Sequence, residues 1–356
     1  MSILKTPGLI VIYGSYGYTG ALIVDLCRQK GTAVILAGRN RDALARQSQS
    51  SGYPHQVVDS SDLEGLKKLL APAEVVIHCG GPFKHTAATM VQACLATQTH
   101  YTDITGEYQV FEELAGQDAA AKQAGIMIMP GTGFDVVPSD CLAAHLKSQM
   151  PDATHLQLAF ATNQPGMSRG TRKTSVESLG SGGLIRKDGK LTRVPLGHDV
   201  LNIDFGAFRI NALCIPWGDI ATAWRSTGIP NIEVYMGATD TMISRARWSN
   251  YLGWLLRQPS VQRYLLKQID RQAPGPSEEK REKGKSFLWG KVRNARGDER
   301  VSRLVTLSGY TLTAQTAVLI AEKIIAGNRK TGYQTPSTAY GADLILEIPG
   351  TTRTDS

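Results

Sequence analysis

Residues 11–23 read VIYGSYGYTGALI, with glycines at positions 14, 17 and 20. The apolar run Leu9 to Tyr13 ahead of them (LIVIY) suits a strand buried on both faces of a parallel sheet. Behind them, Ala21, Leu22, Val24, Leu26 and Cys27 repeat at helical spacing until Gly31, which predicts a helix over Tyr18 to Lys30. A strand, a glycine turn and a helix in that order aim unsatisfied backbone N–H groups and the positive helix end at one point, where a phosphate is stabilised. The spacing is GxxGxxG rather than GxGxxG. The first glycine allows the tight turn, the second lets a pyrophosphate approach the backbone, and the third lets helix and strand pack closely. The residues expected to hold the pyrophosphate are Gly14, Ser15, Gly17, Tyr18, Thr19 and Gly20.

A second strand is expected at Ala33 to Ala37. A site for NAD usually places an Asp or Glu near that point, about 20 residues beyond the glycines, to bind the ribose 2′-hydroxyl. This chain has Gly38, Arg39, Asn40 and Arg41 there. A guanidinium forms paired, charge-assisted bonds to a phosphate, so a cation here favours the 2′-phosphate of NADP. The plainer alternative is that Arg39 and Arg41 line the solvated start of a helix.

The alternation continues: a helix near Asp42 to Gln49, a strand near Gln56 to Val58, a helix near Leu63 to Leu70, and a strand at EVVIHC. It goes on with a helix near Thr86 to Ala96, a strand at HYTDI, a helix near Tyr108 to Gln123 and a strand at IMIM. Six strands with helices between them read as a Rossmann-type, doubly wound parallel sheet of the α/β class. Ligands of such sheets sit beyond the carboxyl ends of the strands. Chemistry is therefore expected at Asp59 to Ser61, at Gly80 to His85 (GGPFKH), at Thr105 to Glu107 (TGE) and at Pro130 to Asp140. The turn Gly80, Gly81, Pro82 lets backbone come close to a ligand with little side-chain obstruction.

Taken together, GSYGYTG, LAGRN, GGPF, HYTDITGE and GFDVVPSD resemble the saccharopine dehydrogenase-like oxidoreductases, a family that includes trans-acting enoyl reductases. The likeness continues through GPSEEKREKGKSFLWGKV, GYTLTA and GYQTPSTAYGADLI, and so covers most of the chain. The resemblance implies an NADP-binding Rossmann domain, a mixed α/β second domain and hydride transfer, without fixing the substrate. On this reading residues 1–140 form the NADP-binding domain and 141–356 a substrate and catalytic α+β domain, whose C-terminal segment has the option of packing back on the first.

Composition agrees with a globular chain. At 356 residues two domains are the better prior, and the 42% apolar and 20% charged content is that of a water-exposed fold with a core. The opening Met1 to Lys5 lacks the order of a secretory signal, and no apolar run approaches the roughly 20 residues that cross a bilayer. A cytoplasmic protein is expected, with peripheral membrane contact as an option. The five cysteines are odd in number and include no CxxC pair, which fits reduced thiols and indicates no structural metal. Short-chain dehydrogenases rely on a Tyr-x-x-x-Lys pair, and none of the 12 tyrosines has Lys four residues on.

The net charge of +8 is concentrated. Between Thr241 and Tyr310 there are 15 Lys or Arg against 6 Asp or Glu, a local balance of +9. In the same segment Trp248, Tyr251, Leu252 and Leu255 fall at i, i+3, i+4 and i+7, one apolar stripe flanked by Arg245, Arg247 and Arg257, and Pro259 is expected to end that helix. Val261, Tyr264, Leu265 and Ile269 predict a second helix. A basic, aromatic hairpin over residues 245–269 can lie on an anionic membrane or cover an apolar tunnel; it can equally pack on the core or on a second copy in a homodimer. No nucleic-acid motif accompanies the charge. Arg169, Arg172, Lys173, Thr174 and Ser175 read as ligands for an acidic group or as a cationic surface loop. PGPSEEKREKGK, from Pro274 to Lys285, reads as an exposed loop, SFLWGKVRN and ERVSRLVTLSGY as a hairpin, and TLTAQTAVLIAEKIIAG as a long helix ended by Gly327.

The expected arrangement places NADP with its pyrophosphate at Gly14 to Gly20, its 2′-phosphate near Arg39, and its nicotinamide near Gly81, Pro82, Phe83 and Thr105; Asn40, Asp59 and Gly80 are further cofactor-binding candidates. The expected substrate is a small molecule of acidic or acyl-chain type with a C=N or activated C=C bond. Asp135, Glu107, Tyr101 and His85 all end or follow strands on the cofactor side and are the candidate proton donors; Asp135 leads, with helix capping as its plainer role. An NADP-binding scaffold or sensor at a membrane, without catalysis, is the reading of a different class.

Overall fold

The computed structural model describes residues 5–164 and 166–356; the opening residues 1–4 and Pro165, in the Gly- and cation-rich stretch, lie outside them. The chain divides into two compact units, Met1–Val137 with Tyr310–Ala339, and Pro138–Gly309 with Tyr340–Ser356.

In the first unit, apolar and β-branched runs form strands β1 (Ile10–Tyr13), β2 (Val34–Gly38), β4 (Val75–His78) and β6 (Met127–Met129), and the more polar segments His55–Val57 and His100–Asp103 form β3 and β5. They lie in the order β6-β5-β4-β1-β2-β3, with a short strand Gly332–Tyr333 added beside β6, and every pairing is parallel. β1, β4, β5 and β6 are buried along their whole length, which is why β1, β4 and β6 read as near-continuous apolar runs rather than alternating ones; β5 (HYTD) is buried through the hydrogen bonds of its polar side chains. The chain starts at β1, winds outward to β3, then returns to β4 on the other side of β1. The crevice where the winding reverses therefore lies at the carboxyl ends of β1 and β4. Register fixes the row at that edge: Tyr13 is level with Ala37 and with His78, and His78 with Asp103. Val11, Val76, Tyr101 and Ile128 pack in one core with Leu66, Leu70, Met90 and Val91 from the covering helices.

The helix Tyr18–Lys30 falls where the periodicity places it and ends on Gly31 in the left-handed conformation. One expected helix is two: Tyr108–Ala115 stops at Gly116, and Asp118–Ala124 follows. The seventh strand, Gly332–Tyr333, is too short to carry a period and went unforeseen.

The second unit is a nine-stranded mixed sheet. Its strands are β7 (Ala153–Thr162), β8 (Gly183–Lys187), β9 (Lys190–Val194), β10 (Val200–Asp204), β11 (Arg209–Cys214), β12 (Asn231–Gly237), β13 (Lys285–Asn294) and β14 (Glu299–Leu307), with Thr352–Asp355 pairing on β14. β12 and β7 are parallel and the other pairs antiparallel, the expected β13–β14 hairpin among them. Two expectations need correction. The Pro274 to Lys285 stretch contains a helix, Glu278–Lys283, because the Ser277 hydroxyl accepts from the Lys280 N–H and starts it. The aromatic stripe is not one helix face: the chain forms Asp240–Ser249, Gly253–Leu256 and Pro259–Asp270 as separate helices, and Pro259 begins the third in place of ending the first. Among the described residues no helix is long and apolar enough to cross a membrane.

Candidate functional site

Six loops leave the carboxyl edge of the parallel sheet, and each is held by its own hydrogen bonds. After β1, Gly14 has φ of 77°, and its N–H donates to the Ala37 carbonyl at 2.7 Å. A methyl group there would sit 2.8 Å from the Gly80 nitrogen. Only glycine lets the turn after β1 and the turn after β4 touch in this way. Gly17 occupies the cap position of the Tyr18–Lys30 helix, and no side chain caps that end. The first N–H groups of the helix are thus turned toward the crevice with no side-chain acceptor laid across the cap, the arrangement that stabilises a phosphate. Ser15 is buried; its hydroxyl donates to Gln47 Oε1 at 2.7 Å, and Gln47 Nε2 donates to the Ser15 carbonyl at 2.9 Å, so this side chain anchors the turn to the next helix. Tyr18 lies edge-on to Tyr310, 5.0 Å between ring centres.

After β2, Gly38 accommodates the ring of Tyr16: a methyl on Gly38 would meet Tyr16 Cε1 at 2.7 Å. The Tyr16 hydroxyl accepts from the Asn40 N–H at 3.3 Å, and Asn40 Oδ1 accepts from the Ala43 N–H at 3.0 Å. The Asn40 side chain is therefore the cap of the following helix, and its neighbour Arg39 projects into solvent. Asp59, after β3, is exposed; its Oδ1 accepts from the Ser61 N–H and hydroxyl, which hold its carboxyl below the usual range, with a smaller contribution from Arg39. Tyr13 donates to the Val58 carbonyl at 3.0 Å, and burial pushes its hydroxyl up to about 12.

After β4 the loop is held at two points. His78 is buried and its imidazole is pushed down to about 3 by desolvation, so the ring is neutral. Its Nδ1 accepts from the Gly80 N–H at 3.4 Å, which assigns the proton to Nε2, 2.8 Å from Thr86 Oγ1; that hydroxyl then donates to the Gly80 carbonyl at 3.0 Å. The second point is Glu107, whose two carboxyl oxygens accept from the Phe83 N–H at 2.8 Å and the Lys84 N–H at 3.0 Å. Phe83 is buried and stands edge-on to His78, while Gly81 and His85 are exposed and Pro82 half-buried.

After β5 and β6, Asp103 is fully buried and accepts from the Tyr101 hydroxyl at 2.6 Å, the Thr105 N–H at 3.0 Å and the Gly131 N–H at 2.8 Å. Burial raises its carboxyl to about 6 against the lowering effect of those donors. Thr105 accepts from the Glu107 N–H through its hydroxyl. Asp135 is half-buried against the Thr105–Glu107 turn, where a methyl on Gly106 would lie 2.7 Å from its Oδ2, and desolvation raises its carboxyl to about 7.

The four candidate proton donors thus have different positions. The Tyr101 hydroxyl is sealed in the sheet and committed to Asp103, which with burial raises it well above the ordinary phenol value. Glu107 holds the loop after β4. His85 is exposed on the short Phe83–His85 turn. Asp135 has the carboxyl that desolvation raises to about 7. Sequence reasoning missed His78, Asp103 and Tyr16; the first two end β4 and β5 at the ligand edge, and that position is the signal that marks them. It also missed a polar cluster in the second unit, where the Tyr235 hydroxyl lies 2.8 Å from both Asp199 Oδ2 and Glu233 Oε2, with Gln157 and His198 beside Glu233. Arg169, Arg172 and Lys173 are on the helix Arg169–Glu177 and meet the Asp270 carbonyl, Gln272 and the Asp270 carboxylate.

Residues 10–129 match the family model of the saccharopine dehydrogenase NADP binding domain. The chain is 26% identical over 212 residues to a saccharopine dehydrogenase-like oxidoreductase of Mus musculus, covering 52% of this chain and 49% of that protein. It is 24% identical over 275 residues to a lipid droplet localized protein of Caenorhabditis elegans, covering 72% and 63%. It therefore spans about half to under two thirds of the length of these relatives. The solved apo saccharopine dehydrogenase (L-Glu forming) of Saccharomyces cerevisiae has the same fold, with a TM-score of 0.69 at 13% identity over 98% of this chain and 100% of that one. The matched segment runs from β1 to β6, through every loop that builds the crevice except the one after β6, and over it the chain is similar to the NADP-binding domain of saccharopine dehydrogenase.

Proposed function

We propose that this protein is an NADPH-dependent reductase acting on a C=N or an activated C=C bond of a small acidic or acyl-type substrate. The observation that carries the reading is the crevice itself: the Gly14 and Gly80 turns touch, the uncapped helix end faces them, and the end of β2 presents Arg39 with no carboxylate at the position where an NAD site has one. NADPH, when bound, supplies the hydride.

The chain's own residues then divide the work. The N–H groups at the start of the Tyr18–Lys30 helix would donate to the pyrophosphate, Tyr16 and Arg39 border the adenosine end, and Glu107 and His78 keep the Gly80 to Phe83 loop in one conformation. A fixed loop lowers the entropy cost of alignment. Asp135 holds a proton up to about pH 7 and is the donor this reading assigns. The test is a titration with NADPH and with NADH, followed by NADPH consumption against a panel of imines and enoyl thioesters. Preferential NADPH binding and turnover of one class support the reading, and absence of any nucleotide binding overturns it.

A second reading, an NADP-binding protein that resides at a lipid surface and reduces nothing, is favoured by the exposed aromatic segment of the second unit and by the printed name of the worm relative. Nucleotide binding without turnover of either substrate class supports it.

A further inference from the structure

Ten large apolar side chains are exposed among the described residues, and seven of them fall between positions 242 and 264: Met242, Trp248, Tyr251, Leu252, Trp254, Leu255 and Tyr264. Four are aromatic and well out in solvent, Trp248 at 68%, Tyr251 at 76%, Trp254 at 65% and Tyr264 at 63%. Such a concentration on one short stretch is unlike the single exposed apolar residues of an ordinary surface, and marks a surface that meets something. It sits on three short helices, Asp240–Ser249, Gly253–Leu256 and Pro259–Asp270, and on the turn between the first two, which carries Tyr251 and Leu252.

The charge around it says what. From Thr241 to Ile269 the chain carries Arg245, Arg247, Arg257, Arg263 and Lys267 and no Asp or Glu at all. Arg245 is three residues before Trp248 and Lys267 three after Tyr264, so each cation stands next to an exposed ring on the same helix. A protein partner complementary to this surface would need an acidic rim around an aromatic-accepting centre. An anionic phospholipid surface offers both in the right order: phosphate and carboxylate in the headgroup layer for the cations, and the headgroup–acyl boundary where Trp and Tyr are most favourable. We propose that residues 242–267 are a docking surface for an anionic phospholipid membrane, lying in the interface plane with Trp248, Tyr251, Trp254 and Tyr264 inserted and the Arg and Lys side chains on the headgroups. The docking requires no catalytic step, so it stands or falls separately from the reductase reading.

The experiment is flotation of the purified full chain with phosphatidylcholine vesicles, with and without phosphatidylserine, alongside tryptophan emission. The wild type is expected to float with the phosphatidylserine vesicles, to shift its emission to the blue on binding, and to release as salt rises. Arg245→Gln with Lys267→Gln is expected to weaken that binding about 30-fold, each cation near an anionic surface contributing about fivefold. Trp248→Ser with Trp254→Ser is expected to lose more than about tenfold and most of the blue shift. All four positions are exposed, so unchanged melting and unchanged NADPH affinity should accompany the loss. Equal partition onto both vesicle types, or variants that bind like the wild type, would overturn the proposal. So would a wild type that ignores vesicles but runs as a dimer that the Trp substitutions split, which would assign the surface to a second copy.

Discussion

Glu107 offers the sharpest discrimination between holding a loop and moving a proton. Replacing it by Gln keeps the shape and one acceptor oxygen but turns an amide NH2 toward either the Phe83 or the Lys84 N–H. One hydrogen bond to a carboxylate is lost and one N–H in a largely buried place is left facing a donor. The first change costs about 1.5–3 kcal/mol where the acceptor is charged and the second about 1–3, so a net loss of about 2–4 kcal/mol is expected after partial relaxation. In a unit of this size that is a fall of about 5–15 °C in melting temperature. NADPH affinity should drop with it, because the loop after β4 touches the Gly14 turn. Thermal melting by circular dichroism and NADPH titration by fluorescence read both quantities on the same sample. If Glu107 is the proton donor instead, Glu107→Gln will melt like the wild type and bind NADPH equally while turnover collapses. That pattern would refute the clamp.

Gly14→Ala forces a side chain into a conformation with φ of 77° and places its methyl 2.8 Å from the Gly80 nitrogen, so NADPH binding is expected to be lost while circular dichroism still reports a folded chain; binding within about threefold of the wild type would remove the basis for pairing the two turns. Arg39→Ala is expected to weaken NADPH by about 10- to 100-fold and NADH by less than about threefold, the loss of one charge-assisted pair, with equal losses refuting the 2′-phosphate assignment. The Asp135 carboxyl, raised from 3.8 to about 7, binds its proton more tightly in the folded state than in the unfolded one, so its contribution is full below about pH 4 and is lost as pH rises through 7. Asp135→Asn does not titrate and should gain up to about 2–4 kcal/mol on the wild type between those limits, measured by urea denaturation at pH 5 and pH 8; parallel pH profiles would show that the carboxyl is not raised.

The winding of the first unit was legible because burial on both faces leaves no room for polar alternation: LIVIY, VILAG and VVIHC announce strands by composition alone, and a glycine or cap follows each. Length limits the same logic. Gly332–Tyr333 completes the sheet with two residues, too few for any period to register. Gly116 divides one periodic stretch into two helices because its N–H closes on the Glu113 carbonyl, a local event that the spacing of Val110, Phe111 and Leu114 does not record. The aromatic segment shows a different limit. Trp248, Tyr251, Leu252 and Leu255 keep a helical interval, but interval measures only which residues share a face of a continuous helix. It says nothing about where that face points, and here the helix stops at Ser249 and the rings stand in solvent.

Within the crevice, sequence position marks the loops that leave the sheet edge but not the division of labour among their acids. Asp103, Glu107 and Asp135 all follow or end strands at the same sheet edge, and residue type alone makes them equivalent. What separates them is the donors each one faces. Asp103 accepts from two loop N–H groups and a phenol and is thereby structural; Glu107 accepts from two N–H groups of a different loop and fixes its path. Asp135 packs beside Gly106 in a setting whose main effect on its carboxyl is desolvation, which favours the protonated acid and makes that proton available at neutral pH. Desolvation raises both Asp103 and Asp135, and in Asp103 the donors pull the carboxyl back down, to about 6 against about 7 for Asp135.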